Sequence, residues 1–146
     1  MGRRRRKKNK YVYIPPKVEY IYNTDYDLAI KDSKIKNGGL GLFSNQDIDM
    51  NTNLGEYIGE TKKTGAFTCG IYAFNLNNDI IIDAYEYPRT IFAMINDCRF
   101  SDFEYNCEFK PMPKDYPERV EIWAIKKISK DDELYCDYGD DYWKYR

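Results

Sequence analysis

The sequence predicts a mainly β domain with one or two short helices, and three observations carry that prediction. Apolar and polar residues alternate at period two in short runs, most plainly in VEIWAIKKI (120–128), where Val120, Ile122 and Ala124 share a face. Turn-forming residues interrupt these runs repeatedly, as in KNGG (36–39) and NND (77–79). Helical spacing is confined to one short run, PRTIFAMIN (88–96). The 146 residues suggest one domain, long enough to bury a core without staples.

Taken in order, YVYIPPKVEYIY (11–22) reads as an extended arm or edge strand broken by Pro15-Pro16. SKIKNGGLGLFSNQDI (33–48) is a Gly-rich turn leading to the apolar pair Leu42-Phe43. NLGEYIG (53–59) suits a short strand. IYAFNLNNDIIIDAY (71–85) reads as two strands around an Asn-Asn-Asp turn. Pro88 at a first-turn position, with Ile91, Met94 and Ile95 on one face, predicts a short helix. Residues 98–118 hold three prolines and read as a turn-rich connection. The strand at 120–128 and a turn at 130–133 lead into ELYCDYGDDYW (133–143), four acids and four aromatics in eleven residues.

The net charge of −1 conceals two parts. Residues 1–10 carry seven Lys or Arg and no acid; the rest holds 16 bases against 24 acids, a balance of −8. An acidic body with a basic, disordered tail is expected. The tail suits a nuclear signal or a phosphate-binding arm contacting nucleosomal DNA, its plain alternative being a solubility aid. The acidic body disfavours nucleic acid and favours a basic polypeptide. No stretch is apolar for eighteen residues and no apolar run follows the basic start, so an intracellular, nuclear setting is expected and no membrane. Cysteines at 69, 98, 107 and 136 form no CxxC pair, and histidine is absent. Reduced thiols and no metal are the expectation, and His-dependent triads are excluded.

GGLGLF (38–43) alone is a turn, lacking both dinucleotide-binding and P-loop spacing. Its company alters that reading. In order follow EYIGE (56–60), IDA (82–84), MINDC (94–98), YNCEF (105–109) and DELYCDYGDDYW (132–143). This ordered series resembles the SET domain, the catalytic module of S-adenosylmethionine-dependent protein lysine methyltransferases, most nearly the small free-standing type found in large DNA viruses. The resemblance covers roughly residues 30–143. It leaves residues 1–10 as the tail, 11–29 as an arm and 144–146 as the end.

The resemblance implies small curled sheets in a β-clip-like arrangement, with Asn106-Cys107 threaded beneath the C-terminal segment in a pseudoknot. It implies S-adenosylmethionine as co-substrate, its methionine part cradled by the backbone of Gly39, Leu40 and Gly41 and its amino group held by Asn96. Asp97 would lie at the backbone position that reads the adenine, Tyr142 and Trp143 would pack on the purine, and Tyr72 and Tyr138 would reach the cofactor. Tyr57, Phe109 and Tyr138 would line the channel for the substrate lysine, with Tyr138 as the catalytic residue. Cys136, two residues before Tyr138, would share its strand face and leave a roomy pocket, so di- or trimethylation is expected. Asp137, Asp140 and Asp141 would face a basic peptide or cap turns.

This sequence departs from the family at N-D-C, where N-H-S-C is usual, and at Ala93, where an Arg often stands. No cysteine-rich module follows Trp143, which leads to the expectation of a homodimer whose second copy completes the channel. The predicted activity is lysine methylation of a histone tail or another basic protein. The alternative is a non-catalytic SET-like module that binds a peptide without cofactor.

Overall fold

The structure, a computed structural model, describes residues 12–63, 70–76, 80–112 and 118–144. Among these, ten short strands follow in chain order: β1 Tyr20–Ile21, β2 Leu28–Asp32, β3 Leu40–Ser44, β4 Asn53–Glu56, β5 Glu60–Lys63, β6 Ala73–Asn75, β7 Ile80–Asp83, β8 Arg89–Thr90, β9 Cys107–Met112 and β10 Arg119–Ala124. A 3-10 turn, Ile91–Met94, follows β8, and helix α1, Asp140–Lys144, lies near the end. The strands form four small sheets, ordered β1-β8, β4-β10-β9, β2-β3 and β5-β7-β6. The mainly β expectation holds.

Strand β10 shows why the pattern was readable. Its Val120, Ile122 and Ala124 are buried while the residues between them are half-buried, and it runs between β4 and β9 at the centre of its sheet. The strand ends at Ala124, short of the 128 expected.

Three elements differ from expectation. Strand β9 runs through the supposed turn-rich connection despite Pro111. It lies at the edge of its sheet, opposite Val120, where a missing N–H is tolerated. Pro88 does not open a helix: Arg89 and Thr90 pair in parallel with Tyr20 and Ile21, and the 3-10 turn begins after Thr90. The Thr90 hydroxyl caps that turn, accepting from the Phe92 N–H at 3.3 Å. The acidic end of the chain is helical as α1, with Asp140 and Asp141 in its first turn, where a helix favours negative charge. The β6–β7 pairing is antiparallel as expected, while its Asn-Asn-Asp turn (77–79), the basic tail and Cys69 lie outside the described residues.

The C-terminal segment threads between two others. Cys136 N–H donates to the Asn96 carbonyl at 3.1 Å on one side. On the other side Asn106 and Cys107 both donate backbone N–H groups to the Tyr135 carbonyl, at 3.1 and 3.2 Å. The Asn106 side chain closes the crossing, donating to the Glu133 carbonyl at 2.8 Å and accepting from Tyr135 N–H at 2.9 Å. An amide can do both at once, which an apolar side chain cannot. Threading brings residues 94–97, 105–107 and 133–138 to one place.

Candidate functional site

Two cavities meet on the knot. The wider, about 430 Å³, lies between the turn preceding β3 and the start of α1. Gly39 and Leu40, Asn96 and Asp97, and Tyr142 and Trp143 all line it. Its volume is in the range of small-molecule pockets. The wall turn is closed by Ser33 N–H to the Gly39 carbonyl at 2.8 Å and Gly38 N–H to the Ile35 carbonyl at 2.9 Å. Gly39 takes φ +64°, and a Cβ there would meet nothing within 4 Å, so bare backbone faces the cavity.

Gly41 is not part of the cavity wall. It is buried, and a Cβ on it would fall on the Glu133 carboxylate and close to Asn96 Nδ2. Glu133, only 2% exposed, organises this side. It accepts from Ser33 Oγ and Lys34 N–H at 2.7 Å each, from Tyr135 OH at 2.9 Å and from Asn96 Nδ2 at 3.3 Å. Asn96 Nδ2 also donates to the Leu40 carbonyl at 2.9 Å. With both amide hydrogens committed to protein, Asn96 has Oδ1 left to accept from a ligand. The sequence showed Glu133 only as part of a turn, because two of its partners lie about a hundred positions upstream.

Asp97 is a second carboxylate hub, 7% exposed. Its Oδ1 accepts from Tyr105 OH at 2.6 Å and Arg99 N–H at 2.7 Å; its Oδ2 accepts from Tyr138 N–H and Trp143 Nε1, both at 2.9 Å. Burial opposes its ionisation, yet these donors outweigh that cost and hold the carboxyl below the usual range. The same pairing pushes the Tyr105 phenol up to about 12, burial being the larger cause. Asp97 lines the wide cavity, but its side chain is spent on fixing the knot exit to α1. Two expected substrate-facing acids are also occupied: Arg99 pairs with Asp137 at 3.2 Å and Asp140 at 3.0 Å, and Asp137 caps Gly139 N–H at 2.8 Å.

The second cavity is a narrow aromatic channel of about 40 Å³. Tyr57, Phe74 and Phe109 pack around it, with Phe109 edge-on to Tyr57 at 5.6 Å and to Phe74 at 5.5 Å, and Phe109 lies 6.2 Å from Tyr138. Among its described lining residues none carries a charge. Tyr57 OH donates to the Tyr72 carbonyl at 2.7 Å, and Tyr138 OH donates to the Ile95 carbonyl. Burial pushes both phenols above their ordinary value, so they stay neutral. Ile71, Tyr72, Ala93, Tyr138 and Tyr142 line both cavities, which therefore adjoin one another. Ala93, where the resemblance leads to the expectation of an Arg, puts a small side chain between them.

Cys136 requires a correction. It does not line the channel: it is 0% exposed, and its thiol lies 2.8 Å from that of Cys107, inside the knot. The assumption that residues 136 and 138 share a strand face fails because residues 137–139 form no strand and Gly139 turns at φ +88°.

A profile of the SET domain matches residues 39–139. "Histone-lysine N-methyltransferase trr" of Drosophila melanogaster is 32% identical over 116 residues, covering 73% of this chain and 4% of that protein. "Histone-lysine N-methyltransferase CLF" of Oryza sativa subsp. japonica is 31% identical over 111 residues, covering 68% of this chain and 12% of that protein. The chain thus spans a small part of the length of both relatives. Among solved structures, Chaetomium thermophilum polycomb repressive complex 2, in an autoinhibited conformation bound to S-adenosylmethionine, superposes with a TM-score of 0.66 at 26% identity, over 79% of this chain and 15% of that one.

Proposed function

The chain belongs to the SET-domain family, and from that premise we propose that it is an S-adenosylmethionine-dependent protein-lysine N-methyltransferase acting on a basic protein, a histone tail first among candidates. The observation that carries this reading is the adjacency of the two cavities: a narrow uncharged aromatic channel shares Tyr72, Ala93 and Tyr138 with a cavity of small-molecule size. A lysine side chain suits the first and a nucleoside-bearing co-substrate the second. The histone preference is supported by the relatives' names and by the −8 balance outside the tail.

The wide cavity's chemistry fits S-adenosylmethionine. Asn96 Oδ1 suits its ammonium, the bare backbone at Gly39 and Leu40 its methionine chain, and Tyr142 and Trp143 its purine. When bound it supplies a methyl group on a positively charged sulfur. The chain's own task is to present a neutral amine. Near neutral pH, removing a proton from a free lysine costs about 4–5 kcal/mol. The channel withdraws the ammonium from water and so favours proton loss to solvent. The Tyr138 oxygen, its proton committed to Ile95, is left with lone pairs to orient the amine.

The test is to incubate the protein with methyl-labelled S-adenosylmethionine and each core histone, then map the label by mass spectrometry. Lysine-borne label is expected. Peptide binding without cofactor binding would favour the non-catalytic module instead, and cofactor binding without transfer to any basic protein would count against the proposed substrate class. The basic tail is proposed to add nucleosomal affinity: deleting residues 1–10 should weaken nucleosome binding and flatten its salt dependence, while sparing turnover of a free peptide.

A further inference from the structure

The knot encloses two thiols that methyl transfer leaves without a task. Cys107 is 1% exposed and Cys136 0%. Their sulfurs lie 2.8 Å apart, and the two residues face each other as a parallel backbone pair. A buried free cysteine commonly serves as a small apolar side chain. Cys98 fits that description: it is buried alone, and its thiol donates to the Phe103 carbonyl at 3.3 Å. Cys107 and Cys136 differ from it, because backbone register and side-chain direction together bring sulfur to sulfur.

Two conditions for joining them are geometric. The Cα atoms of a disulfide stand ~4.4–6.8 Å apart and its sulfurs ~2.04 Å apart. Paired residues on neighbouring strands stand ~4.8 Å apart, inside the first window. The sulfurs have less than one ångström left to close. A third condition is that no buried polar group be stranded when the thiol protons leave. Cys107 Sγ–H donates to the Tyr135 carbonyl at 3.4 Å, but that oxygen also accepts from Asn106 N–H and Cys107 N–H, at 3.1 and 3.2 Å. It therefore keeps two partners after oxidation.

We propose that Cys107 and Cys136 are a disulfide-forming site, oxidised by a small-molecule disulfide such as oxidised glutathione, whose bond staples the C-terminal segment onto β9. One cysteine sulfur attacks the oxidant and releases one glutathione thiol; the other cysteine sulfur then displaces the second. Two cysteine S–H bonds and the oxidant's S–S bond break. One Cys107–Cys136 bond and two glutathione S–H bonds form, so both protons and both electrons end on glutathione. The exchange needs a thiolate and an approach path. Burial removes both in the folded chain: it pushes the Cys136 thiol up, and neither sulfur meets solvent. The bond therefore forms as the chain threads or when the knot opens locally, and once made it is shielded from reductants in the same way. Its place matters to the channel. Phe109 and Tyr138 each stand two residues beyond a cysteine and lie 6.2 Å apart, so a staple beneath them fixes the spacing of the channel wall.

The test uses the full chain with all four cysteines. It is denatured, reduced and refolded in parallel with reduced glutathione alone and with a mixture of reduced and oxidised glutathione. Remaining thiols are alkylated in denaturant, and links are mapped by mass spectrometry. The expected result is a link from Cys107 to Cys136 with Cys98 alkylated. The oxidised protein should melt several degrees above the reduced one, because the bond joins residues 29 positions apart. Cys107→Ser should abolish both the link and the rise. Free thiols at 107 and 136 after oxidative refolding, a persistent mixed disulfide with glutathione at either, or a link from either to another cysteine overturns the proposal. So does an oxidised protein that melts at or below the reduced one. Where the denatured chain fails to refold, the same mapping is made on native protein held with oxidised glutathione just below its melting temperature. The 107–136 link supports the proposal there, and two free thiols overturn it.

Discussion

The Tyr138 hydroxyl donates its proton to the carbonyl of Ile95, the residue immediately before Asn96. One hydrogen bond thus joins the channel wall to the segment lining the wide cavity and sets which way the phenol oxygen presents its lone pairs. Tyr138→Phe keeps the ring packed against Tyr142 at 4.6 Å and removes only that oxygen. The expected outcome is cofactor affinity within a few-fold of wild type, with kcat down about 100-fold, roughly 2.7 kcal/mol. Calorimetry and single-turnover assays separate the two. Equal losses in affinity and rate would show a packing defect rather than a role in transfer.

Asn96→Ala should weaken cofactor binding more than peptide binding. The Oδ1 bond to a charged amino group is worth about 1.5–3 kcal/mol, or roughly 10- to 150-fold in Kd. The loss of the Nδ2 bonds to Leu40 and Glu133 adds a loosening of the wall turn. Unchanged cofactor affinity would place the amino group elsewhere in the cavity.

Gly41→Ala should destabilise the fold and cofactor binding together. The new methyl would fall on the Glu133 carboxylate, which cannot give way without releasing its bonds to Ser33, Lys34, Tyr135 and Asn96. A fall of several degrees in Tm is expected, consistent with a cost of about 1–3 kcal/mol. Glu133→Ala relieves the clash but strands those donors, so the double variant should remain well below wild type. A Gly41→Ala protein melting with wild type would contradict the picture of a rigid hub.

The acid limb of stability should report Asp97. Its folded carboxyl lies below the usual range, so its stabilisation is present above the unfolded value near ~3.9 and is lost as pH falls through the depressed folded value. Asp97→Asn should cost roughly 2–4 kcal/mol at neutral pH, because an amide must turn N–H groups toward at least one of four donors. Its stability should also depend less on pH between about 5 and 2. Chemical denaturation across that window checks both. A variant as acid-sensitive as wild type would remove Asp97 as the source.

How much of this was legible follows from the range of the interactions. The Gly39-Leu40 backbone, Asn96, Tyr138 and the Tyr142-Trp143 pair carry their signals in short local motifs, and threading brings them to the two cavities. Glu133 joins partners 99 and 100 positions away, a link that no local pattern encodes. Strand β9 was hidden because Pro111 reads as a strand breaker until its edge position is known. Arg89 is buried although isolated arginines are normally exposed, because the fold gathers the rings of Tyr72, Tyr85 and Tyr87 around it.

The number of methyl groups added should depend on Phe109 rather than on Cys136. The expectation of di- or trimethylation began from a small Cys136 beside the channel, but that thiol is packed against Cys107. What bounds the channel is Phe109 between Tyr57 and Tyr138, with Phe74 behind it. A tightly held water, which would take the space of a second methyl, needs two or more polar partners. Phe109 and Phe74 offer none, and Tyr57 and Tyr138, whose hydroxyl protons are committed to backbone carbonyls, can accept from a water but not donate to it. The wild type should therefore carry a monomethylated peptide on to higher states. Phe109→Tyr adds a hydroxyl at the channel and should shift the product toward monomethyl-lysine, with cofactor affinity unchanged. Cys136→Ala should leave the product distribution alone while lowering Tm, because it opens a gap in the knot. Mass spectrometry of one peptide at long reaction times compares all three. A wild type that stops at monomethyl-lysine, or a Cys136→Ala protein with an altered distribution, would contradict this assignment.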